Sequence, residues 1–156
     1  MWQTLARDLD SLLDASDHPI TTLANSAAFL YRNIERINWV GFYLYDGAKL
    51  YLGPFGGKPA CTNIEIGKGV CGMAAQKREI MIVDDVDKFP GHIVCDPDSK
   101  SEIVLPIIFP DGKLFGVLDL DSAELARFGN AEKEWLQILS EILVRKIALQ
   151  ATMKAD

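Results

Sequence analysis

The sequence predicts an α+β domain in which a mostly antiparallel sheet of five or six strands packs against helices from both ends of the chain. Helical periodicity is confined to the two ends and one short internal segment. The middle of the chain alternates short β-rich runs with hairpin-type turns. Because strands joined by tight turns pair antiparallel, and amphipathic helices need an apolar face to cover, we expect two or three layers.

The first 37 residues predict two amphipathic helices. One covers residues 2–13; the other opens at Pro19 or at Thr21–Thr22 and continues to about residue 36. The apolar positions are Leu5, Leu9, Leu12 and Leu13 in the first helix, and Ile20, Leu23, Ala27, Leu30, Ile34 and Ile37 in the second. Their spacing is close to the helical period, so each helix should bury one side.

The stretch NWVGFYLYDGAKLYLGPF holds two β-rich runs on either side of Asp46-Gly47, which is a strong hairpin signal. The later elements, in chain order, are a strand at Ile64–Ile66, a short helix at Val70–Lys77, a strand at Glu79–Val83, a loop at 84–100, strands at Ile103–Phe109 and Leu114–Leu120 joined by the turn Pro110-Asp111-Gly112-Lys113, and a helix from about Ala131 to Met153. Long loops should therefore cross one face of the sheet.

Length and charge limit the classes of function. The 156 residues predict a single domain spanning 1–156. A net charge of −6 argues against non-specific binding to nucleic acid or to an anionic membrane. No apolar run approaches the roughly 18 residues of a membrane span, and no basic stretch precedes an apolar one at the N-terminus. With three cysteines, too few for a disulfide scaffold, we expect a cytoplasmic protein whose thiols are reduced at rest.

Residues 67–72, GKGVCG, match the glycine pattern of dinucleotide-binding loops. The following helix is short, and the later strands pair through hairpins rather than through crossover helices, so we favour a glycine-rich turn that starts a helix. Cys71 lies in this turn. A helix N-terminus can lower the pKa of a thiol and make it a nucleophile, but a small buried residue is the favoured interpretation.

The spacing of the cysteines, at positions 61, 71 and 95, does not favour a structural zinc site. Such sites normally use four ligands, commonly paired at short spacings, and the sequence has no CxxC pair. The chain holds only two histidines, His18 and His92. We therefore expect no metal.

Cys95 lies in the long predicted loop, within FPGHIVCDPDSKSE. A loop of about 17 residues inside a compact domain is usually functional or disordered. His92 could stabilise a Cys95 thiolate, and either of the other cysteines could resolve an oxidised form as a disulfide. Spacing alone does not separate this interpretation from an incidental surface cysteine.

Acidic and aromatic residues could complete a site. Glu102 follows the loop, and strand alternation places Asp119 and Asp121 on one face, where close carboxylates would raise each other's pKa or bind a cation such as a substrate ammonium. A solvated strand end would explain the two aspartates equally. Four aromatic residues, of which most should belong to the core, could line an apolar pocket: Trp39, Phe42, Tyr43 and Phe55.

Several segments together resemble the free methionine-(R)-sulfoxide reductases, which are stand-alone GAF-domain enzymes. They are INWVGFYL, LGPFGGKPAC, IEIGKGVCGMAA, VDDVDKFPGHIVCDPDSKSEIVLPI and GVLDLDS, and they span roughly residues 35–125. The three cysteines lie in the segments and in the order that this family has them. The resemblance therefore implies a GAF-like fold with both terminal helices on one face of the sheet.

The resemblance also implies roles. Cys95 would attack the sulfoxide sulfur, Cys61 would resolve the sulfenic acid as a disulfide, Cys71 would be auxiliary, and thioredoxin would be the reductant. Glu102, Asp119 and Asp121 would bind substrate, and Trp39 would contact its methyl group. A buried carboxylic acid could protonate the departing oxygen, and loop N–H groups could bind the substrate carboxylate. This chemistry needs no cofactor.

Two further expectations remain open. The alternative function is a non-catalytic GAF module that binds a ligand or senses redox state, although such sensors are usually joined to an output domain. Many GAF domains form homodimers through their terminal helices, and either the leucines of the first helix or the face of residues 135–149 could serve here. A covered core explains those faces equally well.

Overall fold

Two hydrophobic clusters, one on each face of an antiparallel sheet, organise the chain. The structure is a computed structural model that describes residues 2–155, with side chains up to residue 148. The helices are α1 (Trp2–Leu12), α2 (Pro19–Asn33), α3 (Gly69–Lys77) and α4 (Asn130–Ala155), and a 3-10 helix covers Val86–Lys88. The strands are β1 (Trp39–Tyr45), β2 (Lys49–Gly57), β3 (Asn63–Glu65), β4 (Met81–Val83), β5 (Ser101–Ile108) and β6 (Leu114–Ser122).

The six strands form one sheet in the order β3-β2-β1-β6-β5-β4, and all neighbours are antiparallel. Alternate residues of β1 face opposite sides. Val40, Phe42 and Leu44 pack against the layer of α1, α2 and α4. Trp39 and Tyr43 belong to the cluster on the other side, with α3. The predicted fold class, with the terminal helices on one face, is confirmed.

Burial on the helical face accounts for much of the stabilisation. Phe42 and Leu118 are fully buried there. Burying one such side chain stabilises the fold by about 1.5–3 kcal/mol. Leu9 of α1 is also fully buried in this cluster. Leu9 is therefore used within the chain, whereas Leu12 of the same predicted face is exposed, so a role of this face in dimerisation stays a prediction.

Both predicted hairpins form, and glycine is required in each turn. Gly47 has φ 98° between β1 and β2, and Gly112 has φ 87° between β5 and β6. Asp46 closes the first turn by accepting hydrogen bonds at Oδ1 from the N–H groups of Ala48 and Lys49, both at 2.9 Å. A side chain other than glycine would be strained at either positive φ.

Two predicted boundaries next to residues with positive φ are wrong, because hydrophobic periodicity does not indicate where the backbone turns. The second helix ends at Asn33 rather than near residue 36, since Ile34 is extended and Arg36 has φ 59°. The strand predicted from Glu79 begins at Met81. Arg78 adopts the left-handed conformation that ends α3, so the next residues complete a turn.

Two residues assigned to buried helix faces are exposed. Leu12, the last residue of α1, is 47% exposed, and Ile20, in the first turn of α2, is 58% exposed. Both lie at helix ends, whereas the contacts of α1 and α2 with the core centre on Leu9, Leu23 and Leu30. Among the described residues, no helix has the length and hydropathy required to cross a membrane.

Candidate functional site

Sheet register places two acids and an indole on one row of the face opposite the terminal helices. Trp39 of β1 pairs with Asp121 of β6, and Asp121 pairs in turn with Glu102 of β5. Directly paired residues in an antiparallel sheet project their side chains to the same side. Three residues that the sequence nominated from separate segments are thus cross-strand neighbours.

The next row on this face places Asp119 opposite Gly41. Gly41 is required here, because a Cβ would lie 2.6 Å from the Trp39 ring and 2.4 Å from the Phe55 Cβ. Trp39 and Phe55 stack with ring centroids 5.4 Å apart. Because glycine has no side chain, position 41 leaves space for the stacked rings of Trp39 and Phe55 beside the carboxyl groups.

Helix α3 brings Cys71 to the same acids. Gly72 lets its first turn approach β3, since a Cβ at that position would lie 2.4 Å from the Glu65 carbonyl oxygen. The thiol of Cys71 then lies against Glu102, with Sγ 3.8 Å from Oε1. The two strands that flank α3 in sequence, β3 and β4, lie at opposite edges of the sheet rather than side by side as in a βαβ unit. This topology favours the glycine-turn interpretation of GKGVCG.

Burial controls the protonation of this cluster. Burial raises the pKa of Glu102, and burial together with the neighbouring carboxylates raises the pKa of Asp119 well above its usual range. The pKa of Asp121 is also raised well above its usual range, mainly by burial and to a smaller extent by the charge of Glu102. These carboxyl groups hold protons at a pH where exposed acids are ionised.

The thiol of Cys71 is not activated. Burial raises its pKa well above the ordinary value, and the neighbouring acids Asp119 and Glu102 add to this effect wherever they are ionised. The hypothesis that the start of α3 makes Cys71 a low-pKa nucleophile is therefore wrong, because desolvation and neighbouring acids outweigh any helix dipole. The buried-cysteine interpretation is correct.

Cys61 and Cys95 form a disulfide above the acidic cluster. Their sulfur atoms are 2.12 Å apart and their Cα atoms 5.3 Å apart. Cys61 follows β2, and Cys95 lies in the loop between β4 and β5. A zinc site built from all three cysteines is incompatible with this arrangement, since two of them are bonded to each other.

Polar contacts fix the Cys95 loop at both of its sides. The Asn38 side chain donates from Nδ2 to Asp96 Oδ2 and to Ser99 Oγ, each at 3.1 Å. Lys58 forms an ion pair with Asp98. The loop that carries Cys95 is therefore tied both to the start of β1 and to the segment that carries Cys61.

Two aromatic side chains fix the Cys61 segment. The Tyr43 hydroxyl donates to the Cys61 carbonyl oxygen at 2.9 Å, and the Trp39 indole N–H donates to the Lys58 carbonyl oxygen at 3.1 Å. Burial raises the pKa of the Tyr43 hydroxyl, so it stays a donor. Of the four aromatics considered from sequence, Phe42 alone lies on the opposite face, in the core.

These groups enclose one pocket. Its volume is about 40 Å³, room for a few water molecules. The lining residues are Trp39, Tyr43, Ala60, Ile64, Lys68, Gly69, Val70, Cys71, His92, Ile93, Cys95, Asp96, Ser99, Glu102, Asp119 and Asp121. Every residue that the sequence nominated as catalytic or substrate-binding lines it except Cys61, which lies in the disulfide with Cys95.

His92 reaches the pocket but is poorly suited to the role considered for it. Burial lowers the pKa of its imidazole, which disfavours the cationic form that would stabilise a Cys95 thiolate. Sequence reasoning also missed Asn38, Lys58 and Asp98. All three lie within the segments that carry the family resemblance, but only the tertiary contacts show that their side chains hold the loop.

Comparisons with known proteins agree with this geometry. The GAF domain family model matches residues 3–147. The free methionine-R-sulfoxide reductase of Escherichia coli is 42% identical over 144 residues, covering 92% of this chain and 87% of the relative. The protein of the same name from Saccharomyces cerevisiae is 41% identical over 148 residues, covering 90% and 82%.

A solved structure extends the likeness to three dimensions. The free methionine-R-sulfoxide reductase from Neisseria meningitidis, determined in complex with its substrate, superposes with a TM-score of 0.90 at 39% identity. The match covers 97% of this chain and 91% of that one. The likeness therefore extends over nearly the whole of both chains.

Proposed function

Because the chain belongs to the GAF-domain family of free methionine-R-sulfoxide reductases, we propose that it reduces free L-methionine (R)-S-oxide to L-methionine. The observation that carries this proposal is the Cys61–Cys95 disulfide above a pocket of buried acids whose pKa values are raised. A redox-active thiol pair and a proton source are the two components that sulfoxide reduction requires.

In the first step, the reduced Cys95 thiolate attacks the sulfoxide sulfur. This attack forms a sulfur–sulfur bond between Cys95 and the substrate. The sulfur–oxygen bond of the substrate and the new sulfur–sulfur bond then break as the oxygen bonds to the Cys95 sulfur, so that methionine leaves and Cys95 is a sulfenic acid. The departing oxygen takes up a proton. The buried acids support this transfer, because the raised pKa values of Glu102, Asp119 and Asp121 keep carboxylic protons available.

In the second step, the Cys61 thiol displaces the hydroxyl of the sulfenic acid, and the products are water and the disulfide. An external dithiol must then supply two electrons to restore both thiols. We propose that this reductant is thioredoxin and that the reaction takes place in the cytoplasm. Cys61 and Cys95 are both partly exposed, so an external dithiol can approach the disulfide.

Recognition of the free amino acid follows from the pocket wall. The carboxyl oxygens of the acids would accept hydrogen bonds from the substrate ammonium. The indole of Trp39, which stacks on Phe55, would contact the methyl group of the substrate. The first residues of α3, Gly69, Val70 and Cys71, also line the pocket. The N–H groups of a first helical turn lack intrahelical partners, so they could bind the substrate carboxylate. The division of duties among the three acids, an auxiliary role for Cys71, and homodimerisation stay predictions.

The decisive experiment is a single turnover of the reduced enzyme without a recycling system, followed by quantification of methionine. We expect no methionine from Cys95→Ser. Cys61→Ser should form about one equivalent and then stop, with the sulfenic acid trapped on Cys95. Cys71→Ser is the matched control and should form about one equivalent of methionine, as the wild type does, and then contain the Cys61–Cys95 disulfide. Full activity of Cys95→Ser would overturn the proposal and favour a non-catalytic GAF module.

A further inference from the structure

The substrate pocket contains a set of sulfur and oxygen donors that suits a metal ion. Sγ of Cys71 and one carboxylate oxygen each from Glu102 and Asp119 lie within 4.8 Å of one another. The three residues are 4%, 6% and 5% exposed, respectively. They project from α3, β5 and β6, so their positions are set by regular structure rather than by the Cys95 loop.

One oxygen of the Asp119 carboxyl group has no hydrogen-bond partner among the described residues. Asp119 Oδ1 is fully buried and accepts no hydrogen bond from any residue that the structure describes. Such a group is costly unless something binds it. No ion pair found among the described side chains includes Glu102, Asp119 or Asp121. The cluster therefore lacks a cation from the protein, and Asp119 offers an oxygen toward the pocket.

The separations suit a tetrahedral ion. The Cys71 Sγ and Glu102 Oε1 atoms are 3.8 Å apart. Zinc bonds of about 2.3 Å to sulfur and 2.0 Å to oxygen at tetrahedral angles place two such ligands about 3.5 Å apart. Small side-chain adjustments would complete three bonds. The fourth position would face the pocket, where water could bind.

We propose that Cys71, Glu102 and Asp119 form a binding site for a divalent cation that accepts mixed sulfur and oxygen ligands, such as Zn²⁺ or Cd²⁺. Binding releases the Cys71 proton and any protons held by the Glu102 and Asp119 carboxyl groups, since thiolates and carboxylates are the metal ligands. The bound ion occupies the place of the substrate ammonium, so metal and substrate exclude each other. Competition between the metal ion and the substrate rests on the proposed function. Binding of the metal ion does not depend on that function.

The oxidised protein offers a selective test. Cys61 and Cys95 are then joined, and Cys71 is the remaining thiol of the three cysteines. Titration with Cd²⁺ should therefore produce an ultraviolet thiolate-to-metal charge-transfer band that reports on Cys71 alone. We expect Cys71→Ser to abolish the band and Asp119→Asn to weaken Cd²⁺ binding at least tenfold. The exposed acid Asp111 is the control, and Asp111→Asn should bind like the wild type.

Different results would reject the metal site, its competition with substrate, or the reductase activity. The absence of a band in oxidised wild type, or unchanged affinity in Asp119→Asn with its circular dichroism spectrum preserved, would overturn the site. Methionine sulfoxide that fails to displace Cd²⁺ would overturn mutual exclusion. Cd²⁺ binding by a protein that releases no methionine in a single turnover would reject the proposed reductase activity and leave the metal site standing.

Discussion

Lys58 and Asp98 form an ion pair that joins the segment carrying Cys61 to the loop carrying Cys95. Both side chains are more than half exposed. The Lys58 ammonium lowers the pKa of the Asp98 carboxyl, and the Asp98 carboxylate raises the pKa of the Lys58 ammonium. Because the ion pair spans the two segments that the disulfide joins, it favours the arrangement in which the two sulfur atoms meet.

The first prediction concerns the redox equilibrium of the disulfide. Asp98→Asn removes the ion pair with Lys58 and should make the disulfide easier to reduce. The rise in midpoint potential should be small, because both side chains are exposed and solvent screens the ion pair. It is to be measured against glutathione at low salt, where screening by ions is weakest. Asp111→Asn, which removes the exposed contact with Lys113, should leave the potential unchanged. A lower potential in Asp98→Asn would contradict this role.

The second prediction concerns Asn38, whose amide holds both Asp96 and Ser99. Asn38→Ala removes two hydrogen bonds, each contributing about 1 kcal/mol, and should slow disulfide formation roughly tenfold. Trapping of the Cys95 sulfenic acid with dimedone during a single turnover measures this step. Asn33→Ala is a matched control, since Asn33 is exposed and bonds only the Phe29 carbonyl within its own helix. Equal trapping in both variants would show that Asn38 does not position the loop.

The third prediction concerns the pH dependence of the chemical step. The proton donor must be protonated, and burial raises the pKa of Glu102 and Asp119. The rate of methionine release should therefore fall as pH rises through these raised pKa values, while the Cys95 thiolate population limits the rate on the acid side. Single-turnover rates across the pH range would give a bell-shaped profile. A rate that rises steadily with the ionisation of a thiol would exclude the carboxyl donors.

The fourth prediction concerns the free energy of unfolding. The pKa of Asp119 is raised in the folded state, so above the ordinary carboxyl pKa the folded protein binds more protons than the unfolded chain. The associated stability is fully present below the ordinary pKa and is lost as pH rises through the raised one. Asp119→Asn has no such loss and should be more stable than wild type at high pH, by roughly 1 kcal/mol.

Urea unfolding at several pH values measures this difference. The advantage of Asp119→Asn should shrink toward acidic pH, where the wild-type carboxyl group is protonated in both states. The exposed acid Asp111 again provides a reference, because Asp111→Asn should show no such trend. A stability difference that is constant across pH would assign the effect to packing rather than to the proton.

The fold was largely predictable because hydrophobic periodicity and turn chemistry agree along this chain. In β1, Val40, Phe42 and Leu44 on one face and Trp39 and Tyr43 on the other are all apolar, so the sequence predicts a buried strand but not which face the terminal helices cover. What periodicity could not indicate was where the backbone turns at Arg36 and Arg78. Neither is glycine, and their positive φ values depend on tertiary context.

The site was predictable in part. Strand alternation placed Asp119 and Asp121 on one face, but only the register of β5 against β6 brings Glu102 beside Asp121. The pairing of Cys61 with Cys95 came from the family resemblance rather than from spacing. Asn38 and Lys58 act through contacts with residues 40 or more positions away, and no local pattern encodes such a contact.

The disulfide also has a topological consequence. It links the connection after β2, near one edge of the sheet, to the connection before β5, near the other edge, so oxidation closes a covalent ring over the pocket face. A cross-link between residues 34 positions apart lowers the conformational entropy of the unfolded chain. This loss stabilises the folded state by about 4 kcal/mol. Each catalytic cycle would therefore alternate between a cross-linked chain and an open one. A protease that cleaves transiently unfolded molecules would act mainly on the reduced form.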